Sequence, residues 1–193
     1  MTGAERGEAR AASAPGGGSP RPERPTITAS AFTSALSLAA NGVSIVTSAH
    51  GGRRAGLTVS SMCSVCAEPA LLLACVNADN EFCAVADAAG HFAVNILGAH
   101  QRLHSNVFAG LDEATSADRF ATAGEWTTLA SGAPILSDAL VALDCELDTT
   151  IARGTHRIFL GRVVDVRTTR GEPLVYSARG YAEIRLPDDI EPG

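Results

Sequence analysis

Hydroxyls crowd the stretch GLTVSSMCSV, Gly56 to Val65, where Thr58, Ser60, Ser61 and Ser64 follow one another closely. Its β-branched content predicts a single strand. Alternation then puts Thr58, Ser60, Met62 and Ser64 on one face and Leu57, Val59, Ser61, Cys63 and Val65 on the other. A hydroxyl buried without a partner costs about 1–3 kcal/mol, so this run has to find partners. Two arrangements satisfy it. Either the hydroxyls face water or bond to nearby backbone, or they form a polar wall for a ligand rich in acceptors, which Gly56 lets approach the backbone closely. Cys63 and Cys66 are spaced as a redox dithiol, but residues three apart on a strand face opposite sides, so the sulfurs diverge. Both read as structural, and Cys75, Cys83 and Cys145 as buried packing. His100 and His104 can share a helix face, but no further ligand stands near them, so an exposed face and no metal site are expected. Asp112-Glu113 and Asp188-Asp189 read as solvated loops. No G-x-G-x-x-G follows a strand, which leaves a Rossmann nucleotide site unsupported.

The elements that must position these groups are mostly strands. ASAFTSALSLAANG predicts a helix with Phe32, Leu36 and Ala39 on one face, Ser30 as N-cap and Gly42 as its stop. Val43–Ala49 and the stretch beginning near Ala55 read as a hairpin around Gly51-Gly52. ALLLACVN is a buried strand, NEFCAVADAAG a short helix, HFAVNIL a strand and AHQRLHSNVFAG another short helix. From Leu111 to Ser137 periodicity fails, which predicts irregular loops and short turns. LVALDCELDTTI and HRIFLGRVVDVRTT pair as long strands, and EPLVYSARGYAEI closes the set. Strict βαβ alternation is absent, so a mainly β fold is expected: a closed, largely antiparallel barrel with short helices at its edges.

The chain has 193 residues, 46% hydrophobic and 19% charged, enough for one sizeable core. Its formal net charge of -6 and its lack of Lys/Arg blocks argue against nucleic acid or an anionic membrane as partner. No apolar run is long enough to span a bilayer. Residues 1–27, rich in Gly, Pro, Ala and charge, predict a disordered tail without a signal-peptide pattern. A domain over 28–187 and a short tail over 188–193 complete the layout. Five irregularly spaced cysteines then fit a cytoplasmic location.

NGVSIVTS, GLTVSSMCSVCAEPALLLACVN, GHFAVNIL, FAG, GTHRIFLGRVVDV and PLVYSARGYAEI, in that order, resemble the short-chain NAD(P)H:flavin reductases. These are the reductase components of two-component flavin-dependent monooxygenases. The resemblance runs from Phe32 to Ile184 and implies a split β-barrel homodimer with flavin at the subunit interface. It implies that Thr58, Val59, Ser60 and Ser61 face the flavin ring, with Thr47 and Ser64 beside them. Asn77, Asn80 and Phe82, at the start of a helix, would meet the ribityl chain or phosphate, where relatives carry Lys/Arg and Ser/Thr and this chain carries Asp79 and Glu81. Asn95, Ser105 and Phe108 would complete the pocket rim.

By its residue context alone His156 is an exposed turn histidine. The resemblance places it near the nicotinamide as the catalytic candidate, with Thr155 where relatives have Asp. Tyr176, Arg179 and Tyr181 would hold NADH, Arg179 by a phosphate or ribose. The implied activity is hydride transfer from NADH to FAD, with reduced flavin released to a monooxygenase. FAD is expected over FMN because Asp79 and Glu81 spoil a terminal-phosphate pocket. The alternatives are an FMN-preferring reductase and a flavin-binding carrier on the same fold.

Overall fold

The computed structural model describes residues 26–111, 116–182 and 184. The predicted tails lie outside these apart from Thr26 and Ile27, as do Asp112-Glu113 and Asp188-Asp189. Helix α1 (Ala29–Leu36) is followed by β1 (Asn41–Gly42), β2 (Ser44–His50), β3 (Arg53–Val59), β4 (Met62–Ala67) and β5 (Ala70–Asn77). Then come α2 (Glu81–Ala89), β6 (His91–Ile96), a 3-10 turn at Ala99–Gln101 and α3 (Arg102–Phe108). Helix α4 (Ser116–Thr122) and the hairpin of β7 (Trp126–Thr128) and β8 (Pro134–Leu136) precede the long strands β9 (Val141–Arg153) and β10 (His156–Thr168). A short hairpin, β11 (Val175–Ser177) and β12 (Gly180–Ala182), pairs with β1.

The fold is mainly β with short helices. Seven antiparallel strands form one sheet in the order β3-β2-β6-β9-β10-β5-β4. β3 and β4 stand at its opposite edges, yet only Ser60 and Ser61 separate them in the chain. The sheet therefore curls until these edges approach, and Cys75 N donates to Ser61 O at 3.0 Å, carrying the β4–β5 pairing one residue further to the corner. Among the described residues no ladder joins β3 to β4, so the barrel is split rather than closed. This corrects the single predicted strand over Gly56–Val65. The chain must leave β2 and reach β5, and it turns the corner at Ser60–Ser61.

Two cores flank the β2–β6–β9 half of the sheet. Val46, Phe92, Val94, Cys145, Val76 and Phe159 fill the barrel interior with α2, whose Phe82 packs edge-on to Phe159 with centroids 5.3 Å apart. Ile45, Ala93 and Ala142, on the other face, lie under α3, α4 and β8. Gly161 is required here: a Cβ on it would stand 2.5 Å from the Phe92 ring and 2.8 Å from Cys145 Cβ. The segment from Leu111 to Ser137 is corrected by this second core. Phe120, Ala123, Ile135 and Leu136 are buried, and the carboxylate of Asp144, itself buried, accepts from Ser131 N at 2.7 Å and from the Ser131 hydroxyl. Its short elements simply follow the sheet's outer face, which no helical or strand period records.

Helix α1 starts earlier than expected. Thr28 is its N-cap, accepting from Ala31 N at 3.2 Å, and Ser30 lies inside the helix. None of its residues is buried, and Phe32 and Leu36 remain about half exposed. Among the described residues no helix is long and apolar enough to cross a membrane.

Candidate functional site

A cavity of about 230 Å³ opens where three elements meet. The end of β3 contributes Thr58 and Val59, and the break contributes Ser60. The α3 segment contributes Ser105, Ala109 and Leu111, and the β11–β12 hairpin contributes Tyr176 and Tyr181, with Val43 at the base. Thr58 does not offer its hydroxyl to the cavity, since Oγ1 donates to Ser105 O at 2.8 Å and ties β3 to α3. The Tyr181 hydroxyl donates to Asn106 Oδ1 at 2.7 Å and lies 2.9 Å from Ser105 Oγ. Tyr176 meets the Tyr181 ring edge-on at 5.5 Å, and the Arg102 guanidinium lies 4.8 Å above that ring. The walls are thus apolar and aromatic, and their polar atoms are largely bonded within the protein.

The free donors lie at the break. Among the described residues no acceptor engages the backbone N–H of Ser60 or Ser61. Ser61 Oγ donates to Cys75 O at 2.8 Å, which fixes the corner against β5 two residues before Asn77. Asn77 pairs in register with His156. The Thr155 hydroxyl lies 2.9 Å from His156 Nδ1, so a neutral side chain orients the exposed ring. Asn77 Oδ1 accepts from Asp79 N at 3.0 Å, and Asn80 Oδ1 caps α2 by accepting from Phe82 N at 2.9 Å. Their side-chain amide groups remain available as donors. Glu81 turns towards Arg53, 3.9 Å away. The break therefore links the cavity to a polar patch of Asn77, Asn80 and His156, about 7 Å along β5 from Ser61 by strand geometry.

The structure gathers Thr58, Val59, Ser60, Ser105, Tyr176 and Tyr181 at the cavity. Four other expected residues are core residues instead. Thr47 Oγ1 donates to Pro134 O, Asn95 Nδ2 donates to Ile45 O and to Thr47 Oγ1, and Asn95 Oδ1 accepts from Leu136 N, so both side chains bind β8 to the sheet. Phe82 sits among Phe92 and Phe159, and Phe108 among Phe120 and Trp126. Gly56 also serves packing rather than ligand approach, since a Cβ there would stand 2.9 Å from Val46 O and 3.0 Å from Phe108. Ser64 lines a separate open groove of about 720 Å³ beside β4. Arg179 stands exposed at the tip of the β11–β12 turn, outside the cavity lining, with φ +62° beside Ala178 at φ +48°.

Cys63, Cys66 and His104 differ from expectation too, whereas Cys83 and Cys145 are buried as expected. Val65 is bulged, so Cys63 and Cys66 pair with Leu73 and Leu71, two residues apart on β5, and share one exposed face. Desolvation pushes the Cys145 thiol up to about 12. His104 is half-buried beside Gly124, and burial lowers its pKa although Asp138 opposes this. Sequence reasoning missed Arg102 and Asn106, because their partner Tyr181 lies on a hairpin 75 residues from Asn106.

Comparison with known proteins matches residues 36–185 to the flavin reductase like domain. The FMN reductase (NADH) RutF of Pseudomonas syringae is 38% identical over 152 residues, covering 78% of this chain and 84% of that protein. Nitrilotriacetate monooxygenase component B from Mycobacterium thermoresistibile superposes with TM-score 0.75 at 26% identity, over 85% of this chain and 90% of that one. The NADH:FAD oxidoreductase SgcE6 of Streptomyces globisporus, solved with NAD and FAD fragments, gives 0.73 at 28% identity, over 83% and 93%. The chain belongs to the flavin reductase family and is a flavin oxidoreductase.

Proposed function

We propose that the chain oxidises NADH, reduces a freely exchanging flavin, and passes the reduced flavin to a separate flavin-dependent monooxygenase. The observation that carries this reading is the pair of unengaged N–H donors at Ser60 and Ser61 beside an apolar, aromatic-walled cavity. A flat heterocycle with an acceptor-rich rim fits that donor set. When bound, the flavin supplies hydride acceptance from the nicotinamide. The chain's part is binding and orientation. Ser60 and Ser61 donate to the ring's acceptor edge, where preorganised N–H groups stabilise developing negative charge. Val43, Val59 and Leu111 exclude water, and Tyr176 and Tyr181 wall the space. Asn77 and Asn80 offer amide donors to the ribityl chain, and His156, oriented by Thr155, is assigned to the nicotinamide.

A second copy of the chain completes the site in this reading. The cavity in one chain is smaller than the roughly 300–1,000 Å³ typical of ligand pockets. On the outer face of β5 and β10, Leu71, Leu73, Ile158 and Leu160 are only half-buried. An apolar patch of this kind marks an interface. Light scattering should give twice the chain mass, and a monomer that turns over would remove the second copy from the site.

FAD is preferred in this proposal, because near Asn77 and Asn80 the cation Arg53 is already opposed by Glu81. FMN is the second reading, favoured by the name of the Pseudomonas syringae relative. NADH oxidation is followed by absorbance with FAD or FMN present. Turnover above the protein-free rate is expected, with lower KM for FAD. A rate equal to the background would refute the reading, and a lower KM for FMN would reverse the flavin preference. The monooxygenase role is supported by the name of the Mycobacterium relative. It is tested by coupling the reductase to such an oxygenase and measuring hydroxylated product.

A further inference from the structure

Beside the cavity stands a cation that the flavin-reductase reading leaves without a task. Arg102 is the first residue of α3, exposed, and no carboxylate among the described residues pairs with it. Its guanidinium is nevertheless held in place, 4.8 Å from the centroid of the Tyr181 ring. Tyr181 is itself fixed from α3, because its hydroxyl bonds to Asn106 Oδ1 at 2.7 Å and lies 2.9 Å from Ser105 Oγ. Arginine, tyrosine and the two polar groups thus form one unit spanning a single helix and β12. A guanidinium stacked on an aromatic face keeps its N–H donors in its own plane, free at the edge. Such a fork matches two oxygens of a phosphate.

We infer that Arg102 is the anion-recognition residue of this site, taking a phosphate of the nucleotide cofactor whose ring enters the cavity beside Tyr181. The inference rests on the flavin-reductase reading and deepens it. It also offsets a local deficit. At Asn77–Glu81 the chain carries Asp79 and Glu81, and the neighbouring cation Arg53 is opposed by Glu81. That end of the site is poorly equipped for phosphate, whereas Arg102 stands at the opposite, aromatic end. Neither arginine lines the cavity itself, but Arg102 is stacked on the Tyr181 ring that walls it, whereas Arg179 stands exposed at the hairpin tip. The diphosphate of the pyridine dinucleotide is the source that fits this pose, since the flavin's ribityl chain and the phosphate it carries run towards Asn77 and Asn80 at the other end; both sources present the same oxygens.

The test compares ligands with and without phosphate on full-length wild type, Arg102→Gln and Arg102→Lys. Equilibrium binding of FAD, FMN and riboflavin is read by flavin fluorescence. Binding of NADH and of reduced nicotinamide riboside is read by calorimetry. Arg102→Gln should weaken a phosphate-bearing ligand by about ten-fold, the value of one charge-assisted hydrogen bond, and leave its phosphate-free analogue unchanged. Arg102→Lys should recover part of that loss, and added salt should weaken wild type more than Arg102→Gln. A loss confined to FAD and FMN assigns the flavin phosphate, and a loss confined to NADH assigns the diphosphate. Unchanged affinity for all three phosphate-bearing ligands, or an equal loss for the phosphate-free ones, overturns the inference. Wild type that turns over while Arg102→Gln binds normally refutes Arg102 alone. Wild type that binds neither cofactor refutes the functional reading with it.

Discussion

The two halves of the sheet are built from equally apolar strands but are covered differently. On the β2–β6–β9 side both faces are buried, the inner by the barrel core and the outer by α3, α4 and β8. On the β5–β10 side only the inner face is, and β4 beyond Met62 is exposed throughout. Phe159 is fully buried, while its neighbour Leu160 points the other way and is half-buried beside Leu73. One strand therefore carries a finished core on one face and an unfinished one on the other. The difference teaches that the apolar runs ALLLACVN and RIFLGRVVDV are not explained by the single chain. One of their faces serves folding, and the other is available for association.

Adjacent substitutions on β10 sharpen this contrast most. Phe159→Ala should cost about 3–5 kcal/mol, because it empties a packed aromatic cluster. Denaturant unfolding of the purified variant measures it. Leu160→Asp should cost the folded chain less than about 1 kcal/mol, since its side chain is not in the core. If two copies associate through this face as proposed, it should instead give monomer in light scattering and raise the KM for flavin. Comparable unfolding losses for the two variants would break the distinction between the faces.

The contrast was only partly legible in the sequence. The long strands β9 and β10, the cap of α2 at Asn80 and its end at Gly90 follow local rules, and they stand where periodicity puts them. The corner at Ser60–Ser61 does not, because the alternation of apolar and polar residues continues through the break. The bulge at Val65 is equally silent, and it overturns the argument that Cys63 and Cys66 diverge. Resemblance to a family brings whole segments to the site but does not orient each side chain. Ser60 and Tyr181 reach the cavity, whereas Thr47, Asn95, Phe82 and Phe108, from the same kind of segment, are spent on packing. Phe108 and Asn106 are close neighbours on α3, yet only Asn106 turns towards Tyr181.

Acid should loosen the covered half selectively. His104 belongs to the layer over the outer face, with Nδ1 buried and unbonded among the described residues and Gly124 and Leu136 packed around its ring position. Burial lowers its folded pKa from 6.5, while Asp138 raises it and His100 lowers it further. The unfolded chain therefore binds the proton first as pH falls below about 6.5, and stability falls with it. The loss stops growing once pH drops below the lowered folded value. In His104→Gln this part of the pH dependence should vanish in melting curves taken between neutral and mildly acidic buffer. An identical pH profile in variant and wild type would mean that His104 is not desolvated by its layer.

The smallest effect compares two hairpins that turn in the same way with different residues. Gly51 and Gly52 join β2 to β3 at φ +56° and +81°, and Ala178 and Arg179 join β11 to β12 at φ +48° and +62°. Left-handed backbone costs a residue with a Cβ about 1–2 kcal/mol, so the second turn is held by its surroundings. The holding contacts are Ala178 N donating to Ser37 O at 2.6 Å and Ser177 Oγ donating to Leu38 O at 3.3 Å. Ala178→Gly relieves the steric cost but adds unfolded-chain entropy worth about 0.5–1 kcal/mol, so the net gain should be about 0.5 kcal/mol. Urea midpoints of the single variant, with Arg179 left unchanged, measure it. Tyr176 and Tyr181 flank this turn, so KM for NADH should stay constant if relief leaves the hairpin in register. A destabilised Ala178→Gly would mean that the turn's left-handed geometry carries no strain.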